Sequence, residues 1–126
     1  MSMSRDRRSF RGLVVWQQAM RLARSCYQLT RMLPKEERYG LSAQMWRAAI
    51  SVPANIAEGS GRGTRKDFVN FLRVAQGSLR ELETYLLLLP AVDLASREQV
   101  TPLLTQAESI ARLLNRLIQS LQPPRT

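Results

Sequence analysis

Three glycines set two apart, with bases among and after them, form the stretch of this chain that most openly invites a chemical reading: Gly59, Ser60, Gly61, Arg62, Gly63, Thr64, Arg65, Lys66. Glycine-rich turns cradle phosphates by aiming backbone N–H groups at an anion, and neighbouring bases add charge. The spacing fits neither familiar cradle. A dinucleotide site needs G-x-G-x-x-G after a strand, and a Walker loop needs G-x-x-x-x-G-K-[ST]. Here the pattern is G-x-G-x-G, and Gly63 is followed by Thr64, Arg65 and Lys66. Upstream, Pro53 lies inside an apolar stretch, with Asn55 and Glu58 beyond it. The segment reads as a helix exit. Pro53 removes a backbone hydrogen bond and should bend its helix. Asn55 and Glu58 are placed to bond exposed backbone groups or a neighbouring helix, and Gly59 to take the left-handed geometry that ends a helix. What survives is a non-specific anion site: Arg62, Arg65 and Lys66 fall on the loop and first turn of the next helix, where free N–H groups attract phosphate.

The remaining routes to catalysis close quickly. Cys26 is the single cysteine and there is no histidine, which excludes an internal disulfide, Cys/His zinc sites, Ser-His-Asp triads and Cys-His dyads. A carboxylate enzyme would draw on Glu36 and Glu37 or on Glu81 and Glu83. These sit among other charges and read as solvated helix ends and faces. No catalytic residue, metal site or cofactor is assigned, and the chain is expected not to be an enzyme.

Charge points elsewhere. The chain of 126 residues carries 19 Lys and Arg against 10 Asp and Glu, a net +9. Residues 1–33 hold seven bases and one acid, and residues 61–80 hold five and one. Residues 34–60 balance at three of each, and residues 81–126 hold four bases and five acids. Two segments therefore contain the whole excess. Concentrated positive charge attracts a polyanion and releases its counterions; simple solubility is the competing explanation.

The elements that must carry these bases have helical spacing throughout. A first helix is expected over residues 13–33, with Leu13, Trp16, Met20, Ala23, Tyr27 and Thr30 on one stripe and Pro34 as its stop. A second should begin near Leu41 or Ser42 and carry Leu41, Met45, Ala48, Val52 and Ile56. The third opens at Thr64, which caps it with Asp67 in the capping-box position. Its stripe of Phe68, Leu72, Ala75, Leu79, Leu82, Leu86 and Leu89 is spaced 4, 3, 4, 3, 4, 3. The fourth, over residues 96–121, answers with Val100, Leu103, Ala107, Ile110, Leu114, Leu117 and Leu121. An average of 3.5 residues is the seam of helices packed at a shallow angle. Short connections at 34–40, 59–63 and 90–95 make neighbours antiparallel, so the expected fold is an all-α, up-down four-helix bundle. It occupies residues 13–121, between a basic N-terminal arm at 1–12 and a tail at 122–126.

Apolar residues are left over: Val14 and Val15, Trp46 and Ile50, and Val69, Phe71, Val74, Tyr85, Leu87 and Leu88. A second apolar stripe implies a second burial partner, and self-association is the economical one. The longest apolar run, residues 85–92, contains Pro90 and is far short of the ~20 residues that cross a bilayer. Arg5, Arg7 and Arg8 resemble the start of a signal peptide, but Gln17 and Gln18 interrupt the apolar segment that a signal peptide needs next. The expected setting is cytoplasmic, with no membrane partner.

Three blocks also carry a family likeness: FRGLVVWQQA at 10–19, LPKEERYGLSAQMWRAAISVPANIAEG at 33–59 and DFVNFLRVAQGSLRELET at 67–84. In this order they resemble the four-helix-bundle proteins encoded in intervening sequences of bacterial 23S ribosomal RNA genes. The resemblance spans most of the chain and is weakest in the last helix. It implies an antiparallel bundle that assembles as a ring-like homopentamer. It also implies kinship with the basic accessory proteins of diversity-generating retroelements, which bind a reverse transcriptase and nucleic acid. No enzymatic activity, and hence no catalytic residue, comes with it. Charge and resemblance together lead to the expectation of a homo-oligomer that holds RNA or DNA by its phosphates. The bases are Arg21, Arg24, Arg62, Arg65, Lys66 and Arg73, assisted by the arm over residues 5–11. The alternative is a scaffold that docks a reverse transcriptase.

Overall fold

The computed structural model describes residues 9–123. Four helices account for most of them: α1 Val14–Thr30, α2 Leu41–Ser60, α3 Arg65–Ala91 and α4 Arg97–Leu121. Short 3-10 turns at Phe10–Gly12 and Lys35–Glu37 precede α1 and α2. No strand occurs among the described residues. The packed pairs are α1–α2, α2–α3, α3–α4 and α1–α4, while diagonal helices do not approach one another. With connections this short, each helix reverses on the one before it. The α1–α2 and α3–α4 flanks therefore lie on opposite sides of the bundle.

The core is hydrocarbon. Leu72, Ala75, Leu79, Leu82, Leu86 and Leu89 of α3 face Val100, Leu103, Ala107, Ile110 and Leu114 of α4, with Met45, Val52 and Ile56 from α2. Each fully buried leucine contributes about 1.5–3 kcal/mol relative to exposure. No polar or charged side chain is buried among the described residues. Polar links lie at the margins instead: Ser51 Oγ to Ser78 Oγ at 2.8 Å, Gln76 to Asn115 at 2.8 Å, and Ser109 to Gln18 at 3.0 Å.

Local signals set the helix starts. Thr64 Oγ1 accepts from the Asp67 N–H at 3.1 Å, and Ser96 forms a reciprocal capping box with Gln99. Three expectations need correction. The core stripe of α1 is Val15, Ala19, Leu22, Ala23, Cys26 and Leu29, whereas Met20 and Tyr27 are 45% and 48% exposed. Both sets have helical spacing, and it is the smaller side chains that fit between α1 and its neighbours. Val15 thus belongs to the core and not to a surplus stripe. Helix α1 also ends at Thr30, its last residues tightening into bonds from Met32 N–H to Leu29 O and from Leu33 N–H to Thr30 O. At the end of α4, Ile118 is buried where Leu117 was expected. A straight helix turns every 3.6 residues, so a strict 3.5 pattern drifts off the core over several turns.

Candidate nucleic-acid interface

The α2–α3 connection gathers the bases singled out above at one end of the bundle. Helix α2 runs through Pro53, whose ring is buried, and continues to Ser60. Gly59 therefore lies within the helix rather than terminating it. The left-handed glycine is Gly63, at φ 90°. Gly59 serves a different purpose, since a Cβ there would stand 2.7 Å from Phe71 Cβ and 3.2 Å from the Phe68 carbonyl oxygen. Glycine is what lets α3 come this close. Asn55 Nδ2 donates to Ser51 O at 2.7 Å and meets Ser51 Oγ at 2.9 Å, which in turn touches Ser78 of α3.

Arg62, Arg65 and Lys66 are all exposed. Arg62 is already occupied: it pairs with Glu58 at 2.9 Å and lies 4.9 Å from the Phe71 ring centroid. Arg65 and Lys66 occupy the first turn of α3, beside unpaired N–H groups of the helix start. The turn Phe10–Gly12 packs against α2 and begins α1 at this same end, which adds Arg11. Arg5, Arg7 and Arg8 lie outside the described residues.

The other three expected bases do not join this cluster. Arg21 is exposed on the outside of α1. Arg24 lines a groove between α1 and α2. Arg73 lines a cleft between α3 and α4, with Gln76, Arg80 and Asn115. Helical rotation separates what a linear charge tally places together, and Arg24 and Arg73 occupy opposite flanks.

The α1–α2 flank holds bases that the sequence reading passed over. A hollow of about 450 Å³ is lined by Tyr27, Arg31, Pro34, Lys35, Arg38 and Trp46, among others. Tyr27 and Trp46 also line a second hollow of about 570 Å³, with Trp16, Met20, Arg24, Ile50 and Pro53. The two hollows meet at Tyr27 and Trp46, which line both, and together they make up an α1–α2 groove that this pair divides. Tyr27 and Trp46 have ring centroids 5.3 Å apart, and the Arg31 guanidinium sits 5.9 Å from the Tyr27 centroid. No acid lines either hollow. A linear count conceals Lys35 and Arg38, because Glu36, Glu37 and Glu58 cancel the bases of residues 34–60.

Cys26 is buried, and Tyr85, Glu81 and Glu83 are held in side-chain pairs. Burial pushes the Cys26 thiol from 9.0 up to about 12, leaving it protonated and inert. Tyr85 donates to Glu81 at 2.9 Å, and that bond raises the phenol's pKa. Glu83 pairs with Arg80 at 3.1 Å. The described residues contain no cluster of metal-ligating side chains, and no helix among them is long and apolar enough to cross a membrane.

Comparison with known proteins matches the fold and not a ligand. The profile of the family described as 23S rRNA-intervening sequence protein matches residues 11–116. A crystal structure from Bacteroides thetaiotaomicron, of a protein of unknown function from the S23 ribosomal protein family, superimposes with a TM-score of 0.79. The two sequences are 30% identical, and the match covers 84% of this chain and 99% of that one. No curated protein matches this chain.

Proposed function

The chain belongs to the 23S rRNA-intervening sequence protein family, and we propose that it is a non-enzymatic, homo-oligomeric binder of nucleic acid, RNA or DNA, acting in the cytoplasm through phosphate contacts. One observation carries this reading: the positive charge is uncompensated. The described residues hold 15 Lys and Arg against 9 Asp and Glu and form two salt bridges, Arg62–Glu58 and Arg80–Glu83. Exposed guanidinium and ammonium groups without carboxylate partners are available to phosphates, and the counterions released from the nucleic acid favour binding. No described element resembles a module that reads base edges in a groove, so duplex binding should be nearly blind to sequence.

The test is the triple variant Arg62→Glu, Arg65→Glu, Lys66→Glu. All three side chains are exposed and off the core, so the variant should stay helical. Each exchange reverses one charge, and duplex affinity should fall by about a hundredfold or more at low salt. Wild-type affinity should decline with salt at a slope of about −0.9 per phosphate neutralised on duplex DNA. Unchanged binding by the variant would move the duplex contact away from this end of the bundle. Wild-type protein that binds no nucleic acid at low salt would refute the reading.

A second reading keeps the bundle and changes the partner to a reverse transcriptase of a diversity-generating retroelement. It draws on Val74, Leu87, Leu88 and Val92, exposed on α3 and at its end. The same residues suit assembly into a ring-like homopentamer. Copurification with a reverse transcriptase after nuclease treatment would favour the docking scaffold.

A further inference from the structure

We propose that the α1–α2 groove is a single-strand site, in which unpaired bases stack on Tyr27 and Trp46 while Arg24, Arg31, Lys35 and Arg38 hold the phosphates. The inference rests on the nucleic-acid reading above and gives it a location and a ligand class that the glycine loop lacks.

Two chemistries meet in this groove. Its floor is apolar and aromatic: Tyr27 and Trp46 leave 48% and 37% of their surfaces in solvent, with Met20 and Ile50 beside them. Its margin is cationic, with four bases, none of them in a salt bridge among the described residues. A duplex hides its base faces in the stack, whereas a single strand offers a π-face with every nucleotide and a charge with every phosphate. The ligand that satisfies both floor and margin is therefore an unpaired strand. Arg31 lies 5.9 Å from the Tyr27 ring centroid, and by turning its guanidinium outward to a phosphate it would uncover that face for a base.

Size agrees. Trp16 and Arg31 mark the two ends of the groove on α1, and the fifteen residues of rise between them span about 22 Å. That accommodates about six nucleotides at a stacked spacing of about 3.4 Å. A second copy of the chain fits less well. It would bring another +9 molecule against a margin of bases with no acid to receive them.

Both tryptophans of the chain, Trp16 and Trp46, line the groove, so intrinsic fluorescence reports its occupancy. Oligothymidine and oligouridine of about 12 nucleotides should quench it in a saturable way, while a duplex of equal length should bind without that quench. The double variant Tyr27→Leu, Trp46→Leu should bind the single strands about five- to hundredfold more weakly, with duplex affinity kept within about twofold. The variant Arg31→Gln, Lys35→Gln, Arg38→Gln should lower the single-strand salt slope by about 2, at about 0.7 per phosphate. If the aromatic variant loses helicity, the wild-type quench and the single exchange Tyr27→Leu decide the matter. Wild-type protein that binds both nucleic acids without quench, together with unaffected aromatic variants, would overturn the groove and leave the general reading standing. Failure of the wild type to bind either would overturn both. A fall in assembly mass with single-strand binding intact would assign the groove to a contact between copies and likewise overturn the inference.

Discussion

Gly59 shows how one residue type answers two structural demands. A helix exit and a close helix approach both ask for glycine, and from its neighbours in the chain Gly59 reads as the first. Packing reveals the second, because the space a Cβ would need is filled by Phe71 Cβ at 2.7 Å and Phe68 O at 3.2 Å. Neither obstacle is the flexible end of a side chain, so α2 and α3 must separate to admit a methyl group. Gly59→Ala should therefore cost about 1–3 kcal/mol, the ordinary penalty of overpacking, read as a lower midpoint of thermal unfolding. Gly77 provides the contrast. It lies exposed in the middle of α3, and a methyl group added there would meet nothing within 4 Å, so Gly77→Ala should stabilise by about 0.5–1 kcal/mol. Equal effects at the two sites would show that close approach is not what holds Gly59.

Among the elements, α2 is where polar residues and packing are most closely coupled. Asn55 bonds both the backbone and the hydroxyl of Ser51, and Ser51 reaches Ser78 across the α2–α3 seam. Asn55→Ala should lower unfolding free energy by about 1 kcal/mol and loosen that seam. Glu58 holds only Arg62, with both side chains about half exposed, so Glu58→Ala should cost no more than about 0.5 kcal/mol. Chemical denaturation of the two variants would separate these values, and a larger loss for Glu58→Ala would contradict the assignment. The stripes of α2 and α3 could be read directly from spacing, because on each helix the longest apolar set at helical spacing is the one the bundle buries. That of α1 could not, since Trp16, Met20 and Tyr27 imitate a core face while lining a groove. The basic margin of that groove was hidden for a related reason: Lys35 and Arg38 neighbour Glu36 and Glu37 in the chain, but only the bases line the hollow.

At the scale of the whole molecule, exposed apolar surface remains after the core is complete. Val74, Leu87 and Val92 are 52%, 60% and 49% exposed. Burying such side chains between copies would stabilise an assembly. Light scattering at micromolar concentration should give a mass several times that of the 14.4 kDa chain, and Val74→Glu with Leu88→Glu should reduce it while leaving the helices intact. A monodisperse monomer in the wild type would sink the oligomer. The bundle could be foreseen from two matching 3.5-residue seams. Its surplus apolar residues could be counted from sequence but not sorted, because exposure depends on which helices become neighbours.

The hydrocarbon interior has a consequence for divergence. With no buried polar side chain among the described residues, the core's donor is the weak S–H of Cys26, and nothing described there must be matched to a strong acceptor elsewhere. Gly59 apart, each position asks for apolarity and about the right volume, and cores of this kind tolerate wide substitution when total volume is kept. Residues inside can drift where volume is nearly kept or a neighbour compensates in size, without the matched polar changes that a buried hydrogen bond would demand. The Bacteroides thetaiotaomicron chain, at 30% identity and a TM-score of 0.79, is consistent with such drift. An interior of this kind leaves the outer faces of the bundle free to change without disturbing the packing beneath them.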